Sequence, residues 1–384
     1  MIVAGLSLTD FRNYATAEVS LAPGANLFVG KNGQGKTNLV EALGYLSSLG
    51  SHRVSTEHAM IRAGCTAAII RATLRHDERE LLVEVQINRT GANRAQVNRS
   101  AIKTRELPRY FSSVLFAPED LALVRGEPSG RRRFLDELLI LRNPRLSGVL
   151  SDYERVVRQR NTLLKSARAT RIPASQLTTL DVWDERLIAL GAEIVVARRD
   201  LIAALSPQLR AAYATIVGAD HGPELGYLFS PRDPEVAELK AESDTDLLTL
   251  SEVQQELADG VRRVRSNELE RAVTLIGPHR DDMVIHLNGL PARGYSSHGE
   301  SWSLALSLKL ASADVLRRES NTGDPVLILD DVFAELDEHR RARLAAAIGD
   351  FEQVLITAAV WGDVPEELRT HTIHISAGTI VEHP

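Results

Sequence analysis

Apolar and polar residues alternate through the N-terminal segment, at Ile2, Leu6 and Leu8 and again at Val19 and Leu21, and this period of two predicts strands. A short apolar run over 25–29 predicts a buried strand. After a glycine-rich break, Leu39, Val40, Leu43 and Leu46 recur at helical spacing. Residues 66–102 read as strands once more, with runs at 68–74, 81–87 and 96–98 and a turn supplied by Gly91 and Asn93. From Asp120 onward the pattern is helical. Between Pro173 and Pro207, the residues Leu180, Trp183, Leu187, Leu190, Ile194, Ala197, Leu201 and Ala204 form a heptad stripe. The stripe is too short for a long rod, and core packing explains it, so it predicts a short helical hairpin or the edge of a bundle. Residues 219–260, with Pro223, Pro231 and Pro234, predict loops and one helix, and strand character returns at 272–276 and 283–287.

The glycine-rich break holds candidate chemistry. Gly30, Lys31, Asn32, Gly33, Gln34, Gly35, Lys36 and Thr37 fit the pattern G-x-x-x-x-G-K-[ST] of a phosphate-binding loop. Backbone N–H groups of such a loop surround the nucleotide's phosphates, Lys36 neutralises phosphate charge, and the Thr37 hydroxyl ligates Mg²⁺. The strand before it and the helix after it are the context the motif needs, and a helix N-terminus favours an anion.

A phosphate loop of this kind works with a carboxylate that helps to hold Mg²⁺. Residues 325–331 supply it: a buried-strand pattern ends in Asp330, where α/β sheets bind ligands, and Asp331 follows directly. Asp331 is the candidate to orient or deprotonate the attacking water. Lys36 and Asp330 lie 294 positions apart, so a long excursion leaves the ATPase core and returns, and the helical middle of the chain is that excursion. A third candidate is the turn at Ser297 and Gly299 before the helical pattern of Leu304, Leu306, Leu308, Leu310 and Ala311. Ser297 falls in the N-cap region and Gly299 permits close backbone approach. Two phosphate-binding helix termini on one chain are redundant in a monomer. In a head-to-tail pair, each chain places this turn on the other's γ-phosphate, which predicts ATP-gated dimerisation.

Composition narrows the class. The 384 residues suffice for two domains or for one with a large insertion. No apolar run is long enough to cross a membrane, the N-terminus lacks the features of a signal peptide, and Cys65 is the single cysteine, which fits a reducing cytoplasm. The net charge of −6 speaks against nucleic acid, but its distribution does not: 86–109 carries six basic residues (Arg89, Arg94, Arg99, Lys103, Arg105, Arg109) against Glu106 alone. One acidic stretch, 219–260, with eleven acidic residues against two basic, sets the overall sign. A basic face for DNA therefore remains open, with Arg94, Arg99, Lys103 and Arg105 as its candidates and Arg131, Arg132 and Arg133 as weaker ones, because Phe134 and Leu135 predict a buried helix there. His279 predicts a structural or ATP-proximal role. His371 and His374, three apart on a strand, fall on opposite faces and do not share a metal.

Several motifs together carry a family resemblance. Asp10-Phe-Arg-Asn-Tyr14, the phosphate loop, Ser51-His-Arg53, Phe116-Ala-Pro-Glu-Asp-Leu121, Arg131-Arg-Arg-Phe-Leu-Asp136, Gly277-Pro-His-Arg-Asp-Asp282 and Asp330-Asp-Val-Phe-Ala-Glu-Leu-Asp337 occur in the order seen in the RecF family, and the whole chain resembles that family within the ABC/SMC-type ATPase superfamily. The resemblance implies an ABC-type head with a short helical lobe in place of a long coiled coil. It also implies ATP-dependent homodimerisation on DNA, slow ATP hydrolysis, and action with RecR and RecO to load RecA at gaps. It places Asp337 at the dimer interface as the D-loop aspartate. Two positions depart from the family pattern. The signature reads Ser297-His-Gly-Glu300 where Ser-Gln-Gly-Gln is commoner, and a negative Glu300 near a γ-phosphate needs compensation. Where ABC transporters place a switch histidine, this chain has Thr357-Ala-Ala.

The expected architecture is α/β: an ABC-type P-loop ATPase head over 1–118 and 269–384 with an inserted helical lobe over 119–268. The expected function is ATP-gated binding of double- or single-stranded DNA, or their junctions, in recombinational repair and replication, in the cytoplasm at the nucleoid, with ATP and Mg²⁺ as cofactors. Two other classes compete. A membrane-transporter ATPase subunit would co-purify with a membrane protein, and a purely structural DNA clamp would release no phosphate on DNA.

Overall fold

The computed structural model describes residues 1–170, 178–231, 248–320 and 322–381. The alternating N-terminal segment forms β1 (Ile2–Phe11) and β2 (Tyr14–Ser20), and the apolar run forms β3 (Gly24–Val29). Four strands follow, β4 (Ala67–His76), β5 (Arg79–Asn88), β6 (Arg94–Val97) and β7 (Ser100–Ile102), and then β8 (Ser113–Phe116). After the helical middle come β9 (Glu224–Leu228), β10 (Asp282–Leu287) and β11 (Leu290–Pro291). The C-terminal part adds β12 (Val326–Asp330), β13 (Gln353–Ala358), β14 (His371–Ser376) and β15 (Thr379–Val381).

The chain folds as two compact units. The first comprises Met1–Leu121, Ala211–Asp220 and Trp302–Pro384, and the second Ala122–Arg210 and His221–Ser301. In the first unit, one six-stranded sheet runs β2-β1-β4-β5-β6-β7 and is antiparallel throughout. Its alternation buries Ala68, Ile70, Ala72 and Leu74 of β4 and Val83, Val85 and Ile87 of β5 on one face. The second sheet runs β15-β14-β3-β13-β12-β8. All its pairings but β14–β15 are parallel. Its central strands are mostly apolar because both faces are covered, and every residue of β12 and β13 is buried, Gln353 and Thr357 included. The order β3-β13-β12 places the C-terminal ends of three strands side by side, and ligands bind at such ends of parallel sheets. One core joins the faces, with Phe28, Leu39, Leu43 and Leu46 packed together with Val326, Ile328 and Leu355.

The second unit is built on helices Pro128–Arg142, Leu146–Thr170 and Leu250–Arg271 and on most of Thr178–Val217, with β11-β10-β9 as a small antiparallel sheet. Three expectations change here. The heptad stripe lies on a single 40-residue helix, Thr178–Val217, which runs through the exposed Pro207, and not on a short hairpin. Leu180, Leu187, Ile194 and Leu201 are buried along it, while Trp183, Leu190, Ala197 and Ala204 are half-buried. Residues 272–276 form no strand. Ala272 ends the preceding helix in the left-handed conformation, and the N–H groups of Thr274 and Leu275 donate to Asn161 Oδ1 and Glu268 Oε1 at 2.7 and 2.8 Å, so side chains take the donors a strand partner would use. The acidic stretch contains β9 besides its helix, and its part over 232–247 lies outside the described residues.

Candidate functional site

The phosphate loop sits between β3 and the helix Lys36–Ser48, as the motif requires. Gly35 has φ 115°, and a Cβ there would meet the Tyr14 hydroxyl at 2.7 Å and Asn13 at 2.8 Å. Gly30 has a different reason to be glycine: a Cβ would stand 2.3 Å from the Ile375 carbonyl oxygen. The loop is propped from below. The Tyr14 hydroxyl donates to Gly35 O at 3.2 Å, Asn13 Nδ2 donates to Gln34 O at 3.2 Å, and Gly378 N donates to the same oxygen at 3.1 Å. Gln34 Oε1 also accepts from Ala377 N. Asn13 and Tyr14 are therefore supports of the loop, a role that their motif did not reveal because they lie on another strand pair.

Lys36 is buried, and its ammonium donates to Gly30 O at 2.6 Å and Lys31 O at 3.2 Å. Burial lowers its pKa, opposed by the nearby charges of Asp331 and Asp330. Thr37 Oγ1 donates to Asp330 Oδ1 at 3.0 Å. The same carboxylate oxygen accepts from Thr357 Oγ1 at 2.6 Å, and Thr357 Oγ1 in turn accepts from Asp331 N at 2.9 Å. Thr357 is fully buried on β13, between the loop's strand and the strand of Asp330, and thus ties the two halves together at the position where a switch histidine was absent. Asp331 adopts φ 56°, and its Oδ1 is buried without a hydrogen-bond partner. Burial raises its pKa, against the opposing charge of Lys36 and with that of Asp330.

Fit of a Mg²⁺–nucleotide can be tested on these atoms. A hydroxyl, a carboxylate and an ammonium converge at the end of a parallel sheet, and one further carboxylate oxygen there lacks any partner; hard oxygen donors of this kind suit Mg²⁺. The residues fit the group: Thr37 and Asp330 would hold the cation, and the loop amides with Lys36 the phosphates. Among the described residues, no cluster of three or more His, Cys, Asp or Glu side chains offers another metal centre.

The signature turn belongs to the second unit. Ser297 Oγ accepts from Glu300 N at 3.3 Å and Glu300 Oε2 accepts from Ser297 N at 2.8 Å, a capping box at the start of helix His298–Glu319. These hydrogen bonds lower the Glu300 pKa and hold its charged carboxylate on Ser297. Arg125 fixes the same turn, donating from Nε to Ser301 Oγ at 2.8 Å and from Nη2 to Ser296 O at 3.1 Å. Asp337 is the N-cap of helix Glu338–Ile348 and accepts from Arg340 N at 2.9 Å.

The remaining candidates separate. Arg94, Arg99, Lys103 and Arg105 are all exposed on or beside β6 and β7. Arg131 is buried and pairs with Asp282 at 2.7 Å, and Phe134 and Leu135 are buried behind it. His279 bonds the Tyr153 hydroxyl through Nδ1 at 2.7 Å inside the second unit, a structural placement, and burial pushes its pKa down to about 4. Arg198, buried nearby, holds Asp136 and the Pro278 carbonyl oxygen. No described helix is long and apolar enough to cross a membrane.

A P-loop flanked by β3 and its helix, completed by an aspartate at the end of the parallel strand one beyond β13, defines an ATPase head of the ABC/SMC class. The family model for the RecF/RecN/SMC N terminal domain matches residues 2–369, and the chain belongs to the RecF family of DNA replication and repair proteins within it. The RecF protein of Clavibacter sepedonicus is 64% identical over 100% of this chain and 96% of its own length. That of Streptomyces avermitilis is 51% identical over 99% of each chain. A solved structure of the recombination mediator protein RecF with ATP in the RecFOR pathway superposes with a TM-score of 0.88 at 28% identity, covering 100% of this chain and 97% of that one. An Smc head bound to the C-winged helix domain of ScpA shares the fold at 15% identity and a TM-score of 0.53.

Proposed function

We propose that this protein is an ATP-driven switch that binds DNA in recombinational repair and replication. The observation that carries the proposal is the junction of Thr37, Asp330 and Thr357, which joins the phosphate loop to the acidic strand end. The loop from Gly30 to Thr37 binds the phosphates of ATP, with Lys36 as the charge facing them. Thr37 and Asp330 would hold Mg²⁺ beside the nucleotide, where the cation would supply stabilisation of the charge that develops on phosphoryl transfer. Asp331 is the general base or water-orienting group: it stands next to Asp330, its pKa is raised, and one of its oxygens has no other partner.

In this reading the head comprises 1–118 and 269–384 and the helical lobe 119–268. Two chains meet head to tail, with Ser297 and Gly299 of one completing the nucleotide site of the other and Asp337 at the same interface. Hydrolysis is slow and stimulated by DNA, and it resets the dimer. The exposed Arg94, Arg99, Lys103 and Arg105 face phosphates of double- or single-stranded DNA or of their junction. The RecFOR pathway named for the structural relative supports action with RecR and RecO in RecA loading at gaps, at the nucleoid in the cytoplasm. Sedimentation with and without ATP and DNA tests the whole: a monomer that becomes a dimer only with ATP, and that then carries DNA, is expected. A sedimentation profile indifferent to ATP overturns it.

A further inference from the structure

His52 lies in the loop after helix Lys36–Ser48, outside the phosphate loop and the acidic strand end. Its Nε2 is buried without a hydrogen-bond partner and stands 3.8 Å from Asp330 Oδ2. That separation is a close approach of the imidazole to a carboxylate oxygen, just beyond hydrogen-bond length. Asp330 Oδ1 is already occupied by Thr37 and Thr357, so Oδ2 is the oxygen left for other partners, and it is the one His52 faces. Only five described side-chain polar atoms are buried without a partner, and two of them, His52 Nε2 and Asp331 Oδ1, flank Asp330. Such atoms are costly unless something pairs with them, and their concentration at one site marks a place where polar occupants are expected.

The loop that carries His52 is rigidly built. Ser51 is buried, and its Oγ donates to Glu41 Oε1 while accepting from Arg53 N and Val54 N at 3.0 and 3.2 Å. Glu41 is itself buried and held by two guanidinium nitrogens of Arg12. Arg53 Nη1 donates to Asn38 Oδ1 at 2.9 Å, on the same helix. Both neighbours of His52 are therefore tied down, and the imidazole is held over Asp330.

We infer that His52 is a positioning residue of the cation site: its Nε2–H closes on Asp330 Oδ2 and holds that carboxylate in place for the bound cation. The inference rests on the nucleotide site proposed above. It assigns to His52 the retention of the cation, whereas Lys36 and the loop amides retain the phosphates.

The test is a Mg²⁺ titration of fluorescent ATP-analogue binding by the full-length protein, in the wild type, His52→Ala and His52→Gln, with melting curves as a check on folding. His52→Ala is expected to need about tenfold more Mg²⁺ for half-saturation, as loss of one charge-assisted contact implies. His52→Gln, which restores an N–H at similar reach, is expected to return within about twofold of the wild type. Analogue binding in EDTA should be equal in all three. An unchanged Mg²⁺ requirement in His52→Ala, or a His52→Gln protein as impaired as His52→Ala, overturns the inference and leaves the nucleotide site standing. A wild type that binds no analogue at all overturns both.

Discussion

Thr37 and Asp330 lie 293 positions apart, and their side chains meet at 3.0 Å. The contact exists because β3 and β12 are separated by one strand, β13, whose Thr357 donates to the same carboxylate oxygen. Between the two residues the chain leaves this sheet, returns once as β8, leaves again and comes back as β12, so the site forms only when the C-terminal strands have closed on the N-terminal ones.

Lys36→Ala should lower affinity for ATP by at least a hundredfold and abolish ATP-dependent DNA retention, as measured by equilibrium binding and filter retention. The ammonium also donates to two loop carbonyl oxygens, so the nucleotide-free protein should lose on the order of 1 kcal/mol of stability. A folded variant that retains DNA normally with ATP would refute the site.

Asp331→Asn should bind ATP as the wild type does and hydrolyse it at least tenfold more slowly, because an amide cannot take a proton from water. Its ATP-bound dimer should persist on sizing columns. The nucleotide-free variant should melt no earlier than the wild type: burial disfavours the Asp331 charge, and its Oδ1 has no partner to lose. Unchanged turnover moves the catalytic role elsewhere.

Much of the site was legible in the sequence because it is local. The phosphate loop is one continuous run bounded by a short, mostly apolar strand and a helical stripe, and Asp330 closes a continuous apolar run. Glu300 was legible only as a misplaced charge. Its partner is the backbone N–H of Ser297, and no composition or motif displays that bond. Thr357, Asn13, Tyr14 and His52 were not assigned roles because each acts through a partner far away in sequence. The fold failed where backbone donors are met by side chains, as Thr274 N is by Asn161, since the apolar run at 272–276 then looks like a strand without one being formed. Pro207 misled in the opposite direction: the helix passes through it.

The stability of the second unit should depend on acid through His279. Desolvation lowers its folded pKa from the ordinary 6.5 to about 4. Between those values the unfolded chain binds the proton and the folded chain does not. Stability should therefore be level above pH 6.5 and fall toward pH 4, by up to about 1.4 kcal/mol per pH unit from this residue, and the loss should saturate below. Denaturant melts of wild type and His279→Gln at pH 7, 6 and 5 check this: the gap between them should shrink or reverse as pH falls. A constant gap excludes His279 as the source.

DNA affinity should fall steeply with salt and vary little with base sequence. Each phosphate neutralised on duplex DNA contributes about −0.9 to the log–log slope. Arg94, Arg99 and Arg105 are exposed, so reversing all three to Glu should flatten the slope without loss of fold. A slope equal to that of the wild type sends the DNA surface elsewhere on the molecule.

Ser297 should separate nucleotide binding from dimerisation. Its hydroxyl caps its own helix, accepting from Glu300 N, so any test must divide cap loss from loss of a contact with the partner chain's nucleotide. Asp is as good an N-cap as Ser, whereas Ala and Arg are poor ones. Ser297→Asp should therefore melt close to the wild type, yet its carboxylate would repel a γ-phosphate brought up by the partner. Ser297→Ala should lose about 1 kcal/mol of stability and dimerise, because neither charge nor bulk opposes the approach. Ser297→Arg loses the cap and also fills the space that Gly299 leaves for close approach. All three leave Gly30 to Thr37 untouched and should bind ATP as monomers with wild-type affinity. In sedimentation with ATP, the Asp and Arg variants should stay monomeric, and DNA-stimulated phosphate release should disappear with the dimer. Dimerisation of Ser297→Asp at wild-type ATP concentrations would sink the head-to-tail arrangement, and loss of monomeric ATP binding in any of the three would place Ser297 at its own chain's nucleotide.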